Sequence, residues 1–141
     1  MTRYLNILVL SLLLCGLATS AFAADFVLVV NKKNTLSSLG TNDAKQMYLG
    51  KKTSWSNGQT IVLYSQYDEK VTQAFVDTVV KKTVQQFQIY WKKALFTGTG
   101  TPPIELKDDA EMKKFIAADP RGIGYISRAA LDDSVKEIKL N

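Results

Sequence analysis

Residues 26–30 read Phe-Val-Leu-Val-Val, five apolar residues in succession, three of them β-branched. No polar residue alternates with them, so a strand built from this run has no face to offer to water. It is too short for a helix with one buried stripe. It demands a sheet covered by other elements on both faces, the arrangement of α/β domains. The 141 residues of the chain suit one such domain, long enough to bury a core without disulfides.

The run sits just behind a segment with a different purpose. Arg3 supplies a positive start, residues 5–14 are apolar apart from Asn6 and Ser11, and Ala21-Phe22-Ala23 is a small-x-small signal. These features predict a secretory leader over residues 1–23 with cleavage between Ala23 and Ala24, and residues 24–141 as the exported domain. The apolar run is short and interrupted for a membrane span, so no membrane insertion is expected after cleavage. The periplasm is the expected compartment. Cys15, the one cysteine, lies in the leader, which leaves the exported chain without thiol chemistry. Leu14 before it argues against lipidation.

The chain contains no histidine. That removes the commonest general base and metal ligand, and with it Ser-His-Asp, Cys-His and histidine-rich zinc chemistry. No nucleophile elbow is visible, so an enzyme is not expected, nor a cofactor, nor a metal. The acids Asp108, Asp109 and Glu111 are explained by a helix N-terminus that favours negative charge. The formal charge of +5 falls to +4 when Arg3 is lost with the leader. This balance favours anionic partners but is too small and dispersed for nucleic acid.

Hydrophobic period and turn residues predict the remaining elements. A helix over 41–49 turns Ala44, Met47 and Tyr48 inward and ends at Gly50. Residues 51–59, with Trp55 and the turn pair Asn57-Gly58, form an exposed loop or hairpin. A strand over 61–64 is followed by a loop over 65–68. Asp68 caps a helix reaching 78 or 80, with Val71, Ala74, Phe75 and Val79 buried. A helix over 83–95 buries Val84, Phe87, Tyr90, Trp91 and Leu95. A helix over 108–118 buries Met112, Phe115 and Ile116. Strands over 123–126 and 135–140 flank a helical turn near 128–131. Strands alternating with helices, without repeat or linker, give an α/β domain with a mixed, mostly parallel sheet.

One loop offers candidate ligand donors. After Tyr90 and Trp91 the sequence runs Phe-Thr-Gly-Thr-Gly-Thr-Pro-Pro over 96–103. Thr97 and Thr99 alternate with glycines whose backbone is permissive, so hydroxyls and N–H groups are available to an oxyanion. The alternative is a helix C-cap followed by a turn.

Three segments in order resemble the periplasmic substrate-binding proteins of phosphate-type ABC transporters, especially small single-domain relatives. They are residues 42–52 with Trp55, Asn57 and Gly58; Tyr90-Trp91 with Phe96-Thr97-Gly98 and the loop to Pro103; and Pro-Arg-Gly-Ile-Gly-Tyr-Ile over 120–126. The resemblance implies a type II periplasmic-binding-protein fold used to capture phosphate or a similar oxyanion for an ABC transporter. Full-length members have two lobes, and this chain is long enough for about one. Phosphate-binding members carry an Arg followed four residues later by Ser-Gly-Thr. Aligned on Phe75, Ser65 stands where that Arg would be, and Glu69, Lys70 and Val71 stand at Ser-Gly-Thr. The guanidinium fork for an oxyanion is gone, and Lys70 offers a point charge in its place.

The candidate ligand-binding residues are therefore Ser65, Gln66, Lys70, Thr97, Thr99 and Arg121. Ser65 and Gln66 follow a strand's C-terminal end, where open α/β sheets bind ligands. Arg121 either points into the same cleft or pairs with Asp119 or Asp108. Two functions follow. The chain is a non-catalytic oxyanion-binding protein, or it is an interaction module that kept the fold and meets an ABC transporter, another envelope protein or a second copy of itself.

Overall fold

A computed structural model describes residues 25–141, and the expected leader with its cleavage site lies outside them. Six strands form one sheet in the order β2-β6-β1-β5-β3-β4. They are β1 (Phe26–Val30), β2 (Ser38–Leu39), β3 (Val62–Gln66), β4 (Ile104–Leu106), β5 (Gly122–Ser127) and β6 (Lys136–Leu140). The helices are α1 (Thr41–Tyr48), α2 (Glu69–Phe75), α3 (Val84–Thr97) and α4 (Asp109–Ala118). A π-helical turn, Val76–Val80, extends α2, and a 3₁₀ turn, Arg128–Ala130, follows β5.

The apolar run is β1, and it lies near the middle of the sheet with every residue buried. Phe26, Leu28 and Val30 face a core built from α1, α2, the π turn and α3, with Met47, Tyr48, Phe75, Val79 and Phe87. Val27 and Val29 face the opposite core, where Met112 and Ile116 of α4 pack with Tyr64 and Ile126. Three helices thus cover one face and one helix the other. The sheet is mixed and mostly parallel: β2–β6, β3–β4 and β3–β5 run parallel, while β1 is antiparallel to both β5 and β6.

Local signals account for most boundaries. Asp68 accepts from the N–H groups of Lys70 and Val71 and starts α2. Thr83 and Gln86 form a reciprocal capping box at α3. Gly50, at φ +72, ends the first helix with its backbone close against Trp91. Two short strands, β2 and β4, were not expected from pattern, because two or three residues carry no period. β4 follows Pro102-Pro103 directly and pairs with β3.

Several expected orientations are corrected. Residues 65 and 66 belong to β3 and are buried, not part of a loop. Leu95 is 64% exposed and Phe115 40% exposed, both at the edge of the stripe that their helices bury. Trp55, expected on an exposed loop, is buried and donates its indole N–H to the Arg121 carbonyl at 2.9 Å.

The Gly-Ile-Gly-Tyr segment of β5 lets α4 approach the sheet. A Cβ at Gly124 would collide with the sulfur of Met112, and one at Gly122 would lie 2.8 Å from the Tyr64 ring. Gly124→Ala should therefore destabilise the protein by about 1–3 kcal/mol, as overpacking of a rigid core does. Urea unfolding followed by circular dichroism checks this, and an unchanged midpoint would show that α4 can retreat without cost.

Candidate functional site

The C-terminal ends of β3 and β5 and the start of α2 meet at one end of the sheet, where ligands bind in open α/β folds. The polar groups there are already engaged with one another. The Tyr125 hydroxyl, in β5, lies 2.8 Å from Ser65 Oγ and 2.8 Å from Thr72 Oγ1, and accepts from the Gln66 backbone N–H at 3.2 Å. Thr72 Oγ1 donates to the Gln66 carbonyl at 2.9 Å. The Tyr125 ring stacks on Phe75 at 4.1 Å, which fixes the hydroxyl among these partners.

Gln66 spends its side-chain N–H groups on the Tyr125 carbonyl at 2.8 Å and the Asp109 carboxylate at 3.0 Å. Its Oε1 is buried and takes no hydrogen bond from the chain. Being an acceptor, that atom cannot hold an oxyanion. At the start of α2 the Asp68 carboxylate takes the Lys70 and Val71 N–H groups at 3.1 and 3.4 Å, the donors that an anion would need. Glu69 stands beside it. Lys70 is exposed and lines the adjoining groove.

The threonine–glycine loop is a helix cap. The Gly98 N–H bonds the Leu95 carbonyl at 3.3 Å and the Thr99 N–H bonds that of Ala94 at 2.9 Å, with Gly98 left-handed at φ 68. This is the paired closure of a Schellman motif. Thr97 Oγ1 donates back to the Lys93 carbonyl at 2.9 Å and lies 3.0 Å from Thr99 Oγ1. The loop therefore takes the helix C-cap form, with the Gly98 and Thr99 N–H groups and the Thr97 hydroxyl bonded to carbonyls of α3.

Arg121 is at the other end of the sheet. Its neighbour Gly122 pairs with Val62, the first residue of β3, whereas Ser65 and Gln66 are the last two. At about 3.3 Å per residue the separation along the strand is about 10 Å. Arg121 pairs with Asp119, Nε to Oδ1 at 3.3 Å. Burial works to raise the Asp119 pKa, but bonds from the Arg121 N–H, the Tyr64 hydroxyl and the Arg121 side chain outweigh it and lower it. The structure therefore brings Ser65, Gln66 and Lys70 to one groove, places Arg121 at the other end of the sheet, and leaves Thr97 and Thr99 out of the groove lining.

An open groove of about 1410 Å³ runs from this end of the sheet between α2 and α3. Ala74, Phe87, Trp91 and Leu95 supply apolar wall, and Tyr67, Pro102 and Pro103 the rim. Four carboxylates, of Asp25, Glu69, Asp77 and Glu105, stand against three lysines, 70, 82 and 92. A groove this size exceeds the 300–1,000 Å³ usual for small-molecule pockets. Among the described residues no group of three or more acids or other ligands is placed to hold a metal.

No protein-family model matches the chain. Solved structures do. An ABC-type phosphate transport receptor from Vibrio cholerae matches 82% of this chain and 46% of its own at 17% identity and TM-score 0.58. A protein described as a phosphate ABC transporter substrate-binding protein from Clostridium perfringens, solved with bound phosphate, matches 82% and 44% at 22% identity and TM-score 0.64. PstS from Borrelia burgdorferi matches 83% and 47% at 14% identity and TM-score 0.62. The chain has the periplasmic-binding-protein-like fold of these proteins and spans less than half their length.

Tyr125 was not among the candidates, yet it is the hub. Its place in the Gly-Ile-Gly-Tyr strand was visible; its contact with Thr72 and Ser65, 53 and 60 residues away, was not. Burial raises its pKa, raises that of Tyr48 well above the ordinary value, and with the Asp119 bond raises that of Tyr64 to about 12. A raised tyrosine pKa stabilises the fold below the ordinary value near 10 and loses that contribution as pH rises through the folded value. In an alkaline titration followed at 295 nm, these three rings should stay neutral past pH 10 and ionise together with loss of structure. Ionisation of all tyrosines near pH 10, with the fold intact, would contradict it. Tyr125→Phe should cost about 1–3 kcal/mol through the partners left unmet, measurable in the same unfolding experiment as Gly124→Ala.

Proposed function

We propose that this chain is an exported, non-catalytic binding protein of the envelope, and that it binds a protein partner along the groove between α2 and α3. One observation carries the reading: the donors that would hold an oxyanion at the end of β3 are spent within the chain. Asp68 takes the helix N–H groups and the Tyr125 hydroxyl takes Ser65 and Thr72, while the threonine loop elsewhere closes its own helix. The groove beside them is long, open and mixed in charge, with an apolar wall, which suits a polypeptide better than a small ion. The transport proteins that share the fold make a transporter subunit the first partner to test.

Phosphate capture is the second reading. It is supported by the Clostridium perfringens neighbour, solved with bound phosphate, and by Lys70 beside the groove. On this reading Ser65, Gln66 and Lys70 would form the site, after rearrangement of the Asp68 cap.

Two measurements separate the readings. Calorimetric titration of the secreted protein with phosphate at low salt should give no saturable heat up to millimolar concentration. Micromolar affinity, about −8 kcal/mol, would favour phosphate capture. A photo-crosslinking residue at position 73 or 88, in the groove, should capture a defined envelope protein in cells. The same residue at position 57, on the exposed turn, should not. Equal capture from both positions would sink the groove as the binding surface.

A further inference from the structure

Helix α3 buries one face and leaves the other exposed, apolar along its middle and free of acids. Its fourteen residues, Val-Gln-Gln-Phe-Gln-Ile-Tyr-Trp-Lys-Lys-Ala-Leu-Phe-Thr, contain no carboxylate. Phe87, Trp91 and Ala94 face the core. At 100° per residue, Ile89 and Phe96 fall on one line along the opposite face, two turns apart. Both are exposed, Ile89 at 56% and Phe96 at 94%. Lys92 lies on one flank of that line and Lys93 on the other, and both are exposed. Leu95 adds a third exposed apolar side chain at the edge. Lys81, just before the helix, is exposed on a left-handed turn.

We infer that this outer face of α3 docks on the surface of an anionic lipid bilayer. The charge complementarity is direct: lysines on both flanks and no acid anywhere on the helix, in a chain whose formal charge is +5. Juxtamembrane lysines bind anionic headgroups, and an amphipathic helix lies in the interface with its apolar side chains in the acyl boundary. Phe96 stands almost fully exposed at the end of the helix, where Gly98 turns the chain away. A protein interface seats an aromatic anchor in a matching pocket, whereas a bilayer accepts a convex ridge of any shape. Ile89 and Phe96 make a shallow contact and not a span, and no described helix is long and apolar enough to cross a membrane. The groove borders this face and shares Lys92 and Leu95 with it, whereas Ile89, Lys93 and Phe96 lie outside the groove lining, so a partner and a bilayer would meet along one edge of α3.

The test uses the secreted protein and sucrose-loaded vesicles of phosphatidylcholine alone or with one-quarter phosphatidylglycerol. Co-sedimentation should occur with the anionic vesicles, fall sharply in 0.5 M NaCl, and be absent with phosphatidylcholine. Phe96→Ser and the pair Lys92→Glu, Lys93→Glu should each weaken it by about tenfold. All three side chains are exposed, so circular dichroism and the unfolding midpoint should match the parent. A Phe96→Trp variant should shift its emission to the blue on anionic vesicles. Equal sedimentation with both vesicle types, or anionic binding indifferent to Phe96 and to the lysines, overturns the inference. So does loss of crosslinking to an envelope protein in the Phe96→Ser variant when the parent shows no vesicle binding, because the face would then meet a protein.

Discussion

Everything in this fold depends on burying both faces of β1. A five-residue strand with no polar side chain cannot be an edge or a one-sided element. It forces helices above and below, and it places β5 and β6 at its flanks to satisfy its backbone. Once α1, α2 and α3 occupy one face, α4 must close the other, and the glycines of β5 permit it to come near enough. Asn31, the residue that follows β1, then ties the layers together by donating to the Ile116 and Ala117 carbonyls at the end of α4.

The same packing decides the chemistry at the end of the sheet. Stacking on Phe75 brings the Tyr125 hydroxyl against Ser65 and Thr72. Buried hydroxyls and amides must be paired, because an unmet group costs about 1–3 kcal/mol. Here all but Gln66 Oε1 are paired with one another, so the region that holds ligands in open α/β sheets is stabilised as structure. The fold is shared with a phosphate transport receptor and a phosphate-bound substrate-binding protein, and in this chain these hydroxyls and N–H groups bond within the fold.

What remains facing solvent is concentrated around α3. One side of it walls a long groove with apolar residues and both signs of charge. The other side carries a line of two apolar residues between two lysines. Under the two proposals, one surface of α3 meets a partner while the adjoining surface rests against a bilayer. Neither use requires a closing second lobe.

Much of the fold was legible from local signals. The β1 run, the Asp68 cap, the Gly50 and Gly98 stops and the period of each helix place elements within a few residues, because they reflect interactions within one or two turns. β2 and β4 were not legible, since strands of two or three residues exist only through their partners. The strand end that carries the candidates Ser65 and Gln66 was legible, but their hydrogen-bond partners were not. The sequence by itself determined that Ser65 and Gln66 lie near the C-terminal end of a strand, that Thr97 and Thr99 flank glycines, and that histidine chemistry is absent. Only the tertiary structure decided that those donors are consumed, that Arg121 lies at the opposite end of the sheet with Asp119, and that Leu95 and Phe96 face outward. A residue type fixes which hydrogen bonds and contacts a side chain is able to make, but the partner that takes them is set by segments 50 to 100 residues away in the chain.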